Sequence, residues 1–160
     1  MPILSKTQYG FQKNHSTELA LLNLKENILD CFNKSLKSLA IIIDFTKAFD
    51  CIDHNILKKK LKWYGVNSAV LAFFSSYLSE RNQFVKLNEY SSGFLQTKSG
   101  IPQGSILGPL FFNIYVNDLV KCIDSEGVSL LQFADDTTIF CWSKTNEALK
   151  HLANTSLNKL

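Results

Sequence analysis

Two adjacent aspartates, Asp135 and Asp136, stand in the middle of the otherwise apolar run LLQFADDTTIFCW. β-Branched and aromatic residues dominate 128–134 and 137–142, which predicts two strands with the acids at the tip of a tight hairpin. A third acid, Asp44, ends the isoleucine-rich run SLAIIIDF, where an unpaired charge would be costly. Neighbouring strands lie under ~5 Å apart, so acids at their ends can come together.

Carboxylates in this arrangement are suited to a divalent cation. Two adjacent negative charges repel each other unless a cation lies between them and a third acid. Mg²⁺ commonly takes one or two carboxylates together with substrate phosphates, and two such ions ~3.5–4 Å apart can assist phosphoryl transfer. Aspartate is also common in turns, so a solvated hairpin tip is the simpler interpretation of the pair alone. A tip that needed only turn chemistry would nevertheless favour Asn-Gly or Asp-Gly.

The first half of the chain is predicted to place helices around one strand. A helix capped by Ser16 or Thr17 comes first. The isoleucine-rich strand follows, and its continuous apolar run suits burial on both faces. A helix from Asn55 stops at Gly65, and another helix begins near Asn67.

The second half is predicted to alternate short strands with helices. QFVKLN and GFLQTK have the pattern of two strands joined by a polar turn, and GIPQGS breaks regular structure. Pro109 falls at a plausible first helical position and opens the helix LFFNIYVNDLV. After the Asp135 hairpin, SKTNEALKHLANTSLNKL closes the chain as a helix. This order predicts an α+β fold with a small, mostly antiparallel sheet flanked by helices, in which the Asp44 strand and the hairpin are central.

Bulk composition indicates one soluble globular domain of 160 residues with a net charge of +3, which permits a nucleic-acid partner without requiring one. No apolar run approaches the ~20 residues of a membrane span, and the N-terminus lacks a signal-peptide pattern. An intracellular location, nuclear or cytoplasmic, is therefore expected. The four cysteines lack zinc spacing and are predicted to be reduced thiols. A cluster of four lysines favours a solvated helix face: Lys58, Lys59, Lys60 and Lys62.

Three stretches occur in the order of known motifs. IIIDFTKAFDCIDH, SGIPQGSILGPLFFNIYVNDL and FADDTTIF resemble three successive motifs of the reverse transcriptase palm. QYGFQKNHSTELALL, together with the DFTKAFD and GPLFFNIYVNDL variants, is similar to the non-LTR retrotransposon (LINE) branch, and to jockey-like elements most of all. The similarity runs along essentially the whole chain. It implies an RNA-directed DNA polymerase with a right-hand polymerase palm and part of the fingers.

The resemblance implies a role for each matching residue. Asp44 resembles the first metal ligand, with the Phe45 carbonyl as an added oxygen. Asp135 resembles the second carboxylate that binds metal, with Asp136 its neighbour in the same pair. Together they imply catalysis with two Mg²⁺ ions, for which Mn²⁺ can substitute. Phe49 matches the steric gate that leaves no room for a 2′-hydroxyl, although periodicity alone would favour an ordinary core aromatic.

The resemblance also assigns nucleotide contacts to the loop Pro102, Gln103 and Gly104, which matches the loop beneath the nascent base pair. Gly104 would let backbone approach the nucleotide, and Gln103 offers amide donors and an acceptor. A plain Pro/Gly turn is the alternative. Gln12 stands where many relatives have arginine, so it is not counted as a phosphate contact. Three residues match family positions with no chemistry assigned: Lys47, Asp50 and Asn117.

The implied partners are an RNA template, a DNA primer and deoxynucleoside triphosphates, with no membrane, and the oligomeric state is left open. Against the family, residues 1–160 correspond to a partial reverse transcriptase domain, with the N-terminal fingers, later palm motifs and thumb absent. Weak or no activity is expected from this segment alone, because positioning is most of the catalysis. Two alternatives stay open. One is a non-enzymatic remnant that binds nucleic acid or protein, and the other is a cyclase-like enzyme, against which the PQG loop argues.

Overall fold

The computed structural model describes residues 3–123 and 125–160 and divides the chain into two compact units. The first unit comprises Met1–Thr46 and Val116–Leu160, and the second comprises Lys47–Tyr115. In chain order the elements are α1 (Thr17–Asn33), β1 (Lys37–Ile43), α2 (His54–Trp63), α3 (Ser68–Leu78), β2 (Asn82–Gln83), β3 (Lys86–Leu87), β4 (Tyr90–Ser91), β5 (Leu95–Gln96), α4 (Leu107–Val116), α5 (Leu119–Ile123), β6 (Val128–Phe133), β7 (Asp136–Ser143) and α6 (Asn146–Leu157).

The first unit is built on a three-stranded antiparallel sheet in the order β1-β7-β6. This arrangement confirms the predicted α+β fold and the predicted hairpin, but the turn consists of Ala134 and Asp135, and Asp136 already belongs to β7. The expectation that the Asp44 strand is central and buried on both faces was wrong. β1 is an edge strand, and Ile42 is 78% exposed. An apolar run reports hydrophobicity but not the number of neighbours, so it cannot separate an edge strand from a central one.

Helices pack on both faces of this sheet. On one face, the α1 residues Leu24 and Ile28 pack against a cluster that includes Phe140 of β7. On the other face, the α6 residues Leu149 and Ala153 complete a cluster around the strand side chains. Alternate residues of β6 and β7 therefore contribute to opposite clusters, as the two-residue period of a strand requires, whereas β1 contributes only Ile41 and Ile43 to the α6 side.

Helix capping follows local sequence. Ser16 caps α1 and accepts a hydrogen bond from the Leu19 N–H at 3.2 Å, as the sequence predicts. The hydrogen bond from the Ser16 side chain also lowers the pKa of Glu18 in the first turn. Thr145 caps α6 in the same way, with the Ala148 N–H at 3.2 Å. These caps supply acceptors to N–H groups that have no partner inside the helix.

The second unit contains α2 and α3, and both start where the sequence predicts. Asp53 caps α2, and two backbone N–H bonds to its carboxylate lower its pKa. Gly65 has φ +84, and its N–H and that of Val66 bond the carbonyls of Lys62 and Leu61, which ends the helix in a Schellman motif. Lys60, one of the predicted solvated lysines, instead donates to the Tyr115 carbonyl and lies 5.0 Å from the centre of its ring.

Three expectations for 82–123 need correction. QFVKLN and GFLQTK do not form one strand each, because β2 pairs with β5 and β3 pairs with β4 as separate two-residue ladders. Helix α4 begins at Leu107, so Pro109 is its third residue, where a missing N–H still costs no helical hydrogen bond. The predicted helix through LFFNIYVNDLV is interrupted at Asn117 and Asp118 and resumes as α5.

Two further expectations concern cysteines and membranes. None of the four cysteines, all of them among the described residues, forms a disulfide. Burial raises the pKa of the Cys31 and Cys141 thiols, which makes both poor nucleophiles. Within the described ranges, no helix combines the length and apolar character needed to cross a membrane.

Substituting Ile139→Ala should lower the free energy of unfolding by about 2–5 kcal/mol, because its side chain is 0% exposed and its loss leaves a cavity. The matched substitution Ile42→Ala, on the neighbouring edge strand, should change it by less than about 0.5 kcal/mol. Urea unfolding of both variants measures the difference. Equal destabilisation would contradict the exposed position of the Ile42 side chain.

Substituting Gly100→Ala should destabilise the second unit by more than about 1 kcal/mol, since alanine disfavours positive φ. Gly100 has φ +85, and an added Cβ would lie 2.7 Å from the Asp50 carbonyl oxygen. Gly93→Ala is the control, because nothing lies within 4 Å of a Cβ there. Urea unfolding followed by circular dichroism compares the two, and a tolerated Gly100→Ala would contradict this loop geometry.

Candidate active site

The register of the sheet brings the three predicted carboxylates to one end of it. The last pair between β1 and β7 joins Ile43 to Thr137, so Asp44 and Asp136 are the next residue on each strand. The hairpin closes with the pair between Phe133 and Asp136, which leaves Asp135 in the two-residue turn. Asp44 and Asp136 are exposed and Asp135 is half-buried.

The turn that carries Asp135 has an unusual backbone. Ala134 precedes it and has φ +54 while being only 8% exposed. Positive φ suits the first central position of the primed turns that match strand twist, but it costs an alanine about 1–2 kcal/mol. Strain of this kind persists only where surrounding contacts over-determine the conformation.

The three carboxylates carry the oxygen donors that Mg²⁺ prefers in proteins. In the part of the chain that the structure describes, none of the three carboxylates forms an ion pair with lysine or arginine. No group of three or more His, Cys, Asp or Glu side chains among the described residues is gathered tightly enough to be a metal cage. Asp44, Asp135 and Asp136 therefore do not form a group of three that could hold an ion by themselves. Phe45 follows Asp44 in irregular backbone and is half-buried.

The remaining predicted residues lie in the second unit, where backbone hydrogen bonds join the loops that carry them. The Ile101 N–H donates to the Phe49 carbonyl at 3.0 Å, and the Gly100 N–H donates to the Ile52 carbonyl at 2.8 Å. The Gln103 side chain donates to the Asp50 carboxylate at 3.1 Å. Phe49 and the loop from Pro102 to Gly104 are thus parts of one connected structure.

Phe49 is held by an aromatic contact. Its ring stacks on Phe112 with centroids 4.4 Å apart and planes at 22°, and Phe112 is 2% exposed. Phe49 itself is half-buried. Packing against a buried ring fixes its orientation while part of its surface stays accessible.

Gly104 meets a conformational requirement of its turn. The Ser105 N–H bonds the Pro102 carbonyl at 3.3 Å, and Gly104 has φ +74 at the third position, as a type II turn requires. Nothing lies within 4 Å of a Cβ built on it, so open space adjoins the loop. A cleft of about 600 Å³ is lined by Pro102 and Gln103, by the acid Asp50, and by three basic side chains, Lys47, Arg81 and Lys98.

The sequence did not predict the polar contacts of Gln8 with the Asp135 turn or those of Asn117 with the N-terminal residues. Gln8 is 2% exposed and bonds both backbone groups of Ala134. Asn117, which matched a family position without a role, accepts from the Ser5 N–H and donates to the Ile3 carbonyl. The QYGF motif was the one sequence feature that pointed to this segment. Glutamine and asparagine in irregular backbone produce no hydrophobic periodicity from which their contacts could be predicted.

Solved structures with this fold include two yeast telomerases. The apo telomerase of Candida tropicalis, truncated from its C-terminal domain, matches 94% of this chain and 32% of its own with a TM-score of 0.65 and 20% identity. Telomerase from Candida albicans in complex with a TWJ fragment of telomeric RNA matches 92% of this chain and 28% of its own with a TM-score of 0.67 and 13% identity. At these identities the likeness shows the fold alone.

Sequence relatives identify the branch. The probable RNA-directed DNA polymerase from transposon BS of Drosophila melanogaster is 33% identical over 94% of this chain and 17% of its own length. The RNA-directed DNA polymerase from mobile element jockey of the same species is 29% identical over 89% of this chain and 16% of its own. The family described as reverse transcriptase (RNA-dependent DNA polymerase) matches residues 1–160. The chain therefore belongs to the reverse transcriptase family, in its non-LTR retrotransposon branch.

Proposed function

We propose that this chain forms part of an RNA-directed DNA polymerase that adds deoxynucleotides to the 3′-hydroxyl of a DNA primer on an RNA template. In this proposal residues 1–160 supply the palm core and part of the fingers. One observation carries the proposal: the β1–β7 register and the hairpin turn put Asp44, Asp135 and Asp136 at the same end of one sheet. The relatives carry this segment within chains of which it spans 17% and 16%.

The three acids are proposed to hold Mg²⁺, or Mn²⁺ in its place, with the Phe45 carbonyl as a further oxygen. The bound ions would activate the primer hydroxyl and neutralise the triphosphate. Asp44 would provide its carboxylate from the end of an edge strand. Asp135 would provide its carboxylate from the turn that joins the paired strands β6 and β7. The protein's own contribution is then the placement of negative charge, which requires no covalent chemistry from the side chains.

Phe49 is proposed as the gate against a 2′-hydroxyl, and Pro102, Gln103 and Gly104 as the surface beneath the new base pair. The stacking on Phe112 supports the gate, because excluding one oxygen atom requires a ring that cannot turn aside. The open space beside Gly104 and the basic lining of the adjoining cleft support contact with a nucleotide or nucleic-acid strand.

Substituting both Asp135→Asn and Asp136→Asn should abolish Mg²⁺-dependent extension of a DNA primer on an RNA template, with a loss of at least about a hundredfold. Extension is measured on this chain and on a chimera in which residues 1–160 replace the matching segment of the transposon BS relative. The control is Glu26→Gln with Asp30→Asn, which removes two exposed charges from α1.

Binding of Mn²⁺, followed by the electron paramagnetic resonance of the free ion, gives a second measurement that needs no turnover. The control variant should retain binding and the Asp135/Asp136 variant should lose it. Equal binding and equal extension by the two variants would overturn the assignment of the acids. Nucleic-acid binding that the acids do not affect, without extension in either context, would favour the non-enzymatic alternative.

Substituting Phe49→Val should raise the incorporation of ribonucleotides relative to deoxynucleotides by about tenfold or more, because it removes a ring that blocks the 2′-hydroxyl. Single-nucleotide extension by the chimera with each triphosphate measures the ratio of kcat/KM values. Phe49→Tyr keeps the ring and should keep the selectivity, and Phe74→Val tests the loss of another half-buried ring of the same unit. If both rates fall together in Phe49→Val, the residue is an ordinary core aromatic.

A further inference from the structure

The N-terminal segment, defined here as residues 7–12, runs beside the outer edge of β6. The Tyr9 N–H donates to the Gln132 carbonyl at 2.7 Å, and the Gln132 N–H donates to the Thr7 carbonyl at 2.8 Å. These bonds form a parallel bridge between Gln8 and Gln132. Gln132 is the last residue but one of β6, so the segment reaches the sheet next to the turn that carries Asp135.

The side-chain amide of Gln8 forms its hydrogen bonds with backbone groups of this region. Its Oε1 accepts from the Ala134 N–H at 2.9 Å and from the Gly10 N–H at 2.7 Å. Its Nε2 donates to the Ala134 carbonyl at 3.1 Å. Because Gln8 is 2% exposed and Ala134 is 8% exposed, water cannot easily replace these partners. The amide satisfies both backbone groups of the one residue in the turn that has positive φ.

Gly10 brings the segment closer to the turn than any side chain would allow. A Cβ at this position would lie 2.2 Å from the Ala134 nitrogen and 2.9 Å from its Cα. Those atoms are backbone, so they could move aside only if the turn itself moved. Glycine is therefore required here by space and not by its φ angle.

Other side chains form hydrogen bonds with the N-terminal segment and with Ser5 just before it. Gln12 donates to the Ser5 carbonyl at 3.0 Å and to the Gln8 carbonyl at 2.8 Å. Asn117 accepts from the Ser5 N–H at 2.7 Å. The turn is consequently held by a segment that is itself anchored, which is the condition for a strained conformation to persist.

We infer that Gln8 is a positioning residue that holds the Ala134–Asp135 turn in its left-handed conformation, and that Gly10 provides the space for it to do so. The consequence for catalysis rests on the proposed function, since it is Asp135 that the turn presents. Without Gln8 the turn would relax toward conformations that alanine prefers, and the carboxylate would leave its place at the sheet edge.

Amide hydrogen exchange, followed by NMR on the isotopically labelled chain, tests the contact directly. Gln8→Ala should speed exchange of the Ala134 N–H by about tenfold or more, because that group loses its acceptor. Gln8→Glu keeps an acceptor for it but puts a carboxylate oxygen against the Ala134 carbonyl in place of the donor, so an intermediate rate is expected. Gly10→Ala should act like Gln8→Ala. The comparison variant is Gln12→Ala, which removes one hydrogen bond to Ser5 and one to Gln8 and none from the turn, so a smaller acceleration than that of Gln8→Ala is expected.

The amides of Leu130 and Ile139 report whether each variant keeps its sheet, since these residues pair across the hairpin away from the turn. Unchanged exchange at Ala134 in Gln8→Ala, with the sheet intact, would overturn the inference. So would equal acceleration in Gln8→Ala and Gln12→Ala. If Gln8→Ala loses the sheet, the test is made on Gln8→Glu instead. An unchanged exchange rate of the Ala134 N–H in Gln8→Glu, with an unchanged hairpin structure, would overturn the inference.

Kinetics of the chimera distinguish positioning from folding. Gln8→Ala should lower kcat by about tenfold and raise the Mg²⁺ concentration for half-maximal extension, with little change in KM for the nucleotide. A smaller folded fraction would lower the rate without changing the Mg²⁺ dependence, which would contradict positioning. The experiments distinguish failure of the proposed polymerase function from failure of the proposed role of Gln8. A chimera inactive with native Gln8 would count against the polymerase, whereas the exchange result at Ala134 stands without any activity.

Discussion

The antiparallel pairing of β7 with both of its neighbours is the constraint on which the rest of the site depends. On one side it ends with Ile43 against Thr137, and on the other it ends with Phe133 against Asp136. A slip of one residue in either ladder would turn every side chain of the strand to the opposite face. The apolar clusters on both faces of the sheet resist such a slip, because each would lose its strand side chains. Core packing thus sets the position of the carboxylates.

The tip of the hairpin is less well supported by its own sequence. Alanine is a poor residue for positive φ, and an Ala-Asp turn lacks the glycine that would relieve the strain. The structure compensates through a segment far away in the chain, which supplies hydrogen bonds to the turn and brings the Gly10 backbone against that of Ala134. A carboxylate that must meet a cation gains from such support, because a preformed position avoids an ordering cost at the moment of binding.

The second unit uses related means to connect two loops. Backbone hydrogen bonds join Phe49 to Ile101 and Ile52 to Gly100, and Gly100 lies so close to the Asp50 backbone that no larger residue fits. In both units a glycine without space for a Cβ marks the place where two distant segments meet. The loop from Pro102 to Gly104 therefore has its geometry fixed by contacts on one side, while its other side adjoins open space.

The local features of this protein follow from its amino-acid sequence: the cap at Ser16, the stop at Gly65, the hairpin, and the presence of acids at the ends of two strands. Each of these depends on residues within a few positions of one another, so capping chemistry and periodicity are sufficient to predict them. The palm motifs likewise identified the family, because they are contiguous in the chain.

Three features depend on long-range contacts: β1 is an edge strand, 82–96 forms four short strands, and Gln8 bonds the backbone of the Asp135 turn. Strand order depends on how many neighbours a strand has, and an apolar run is compatible with one or two. Gln8 and Ala134 are 126 residues apart, and a buried glutamine has the same letter as a solvated one. Such contacts leave no local signal, since their free energy comes from partners that folding alone brings within hydrogen-bonding distance.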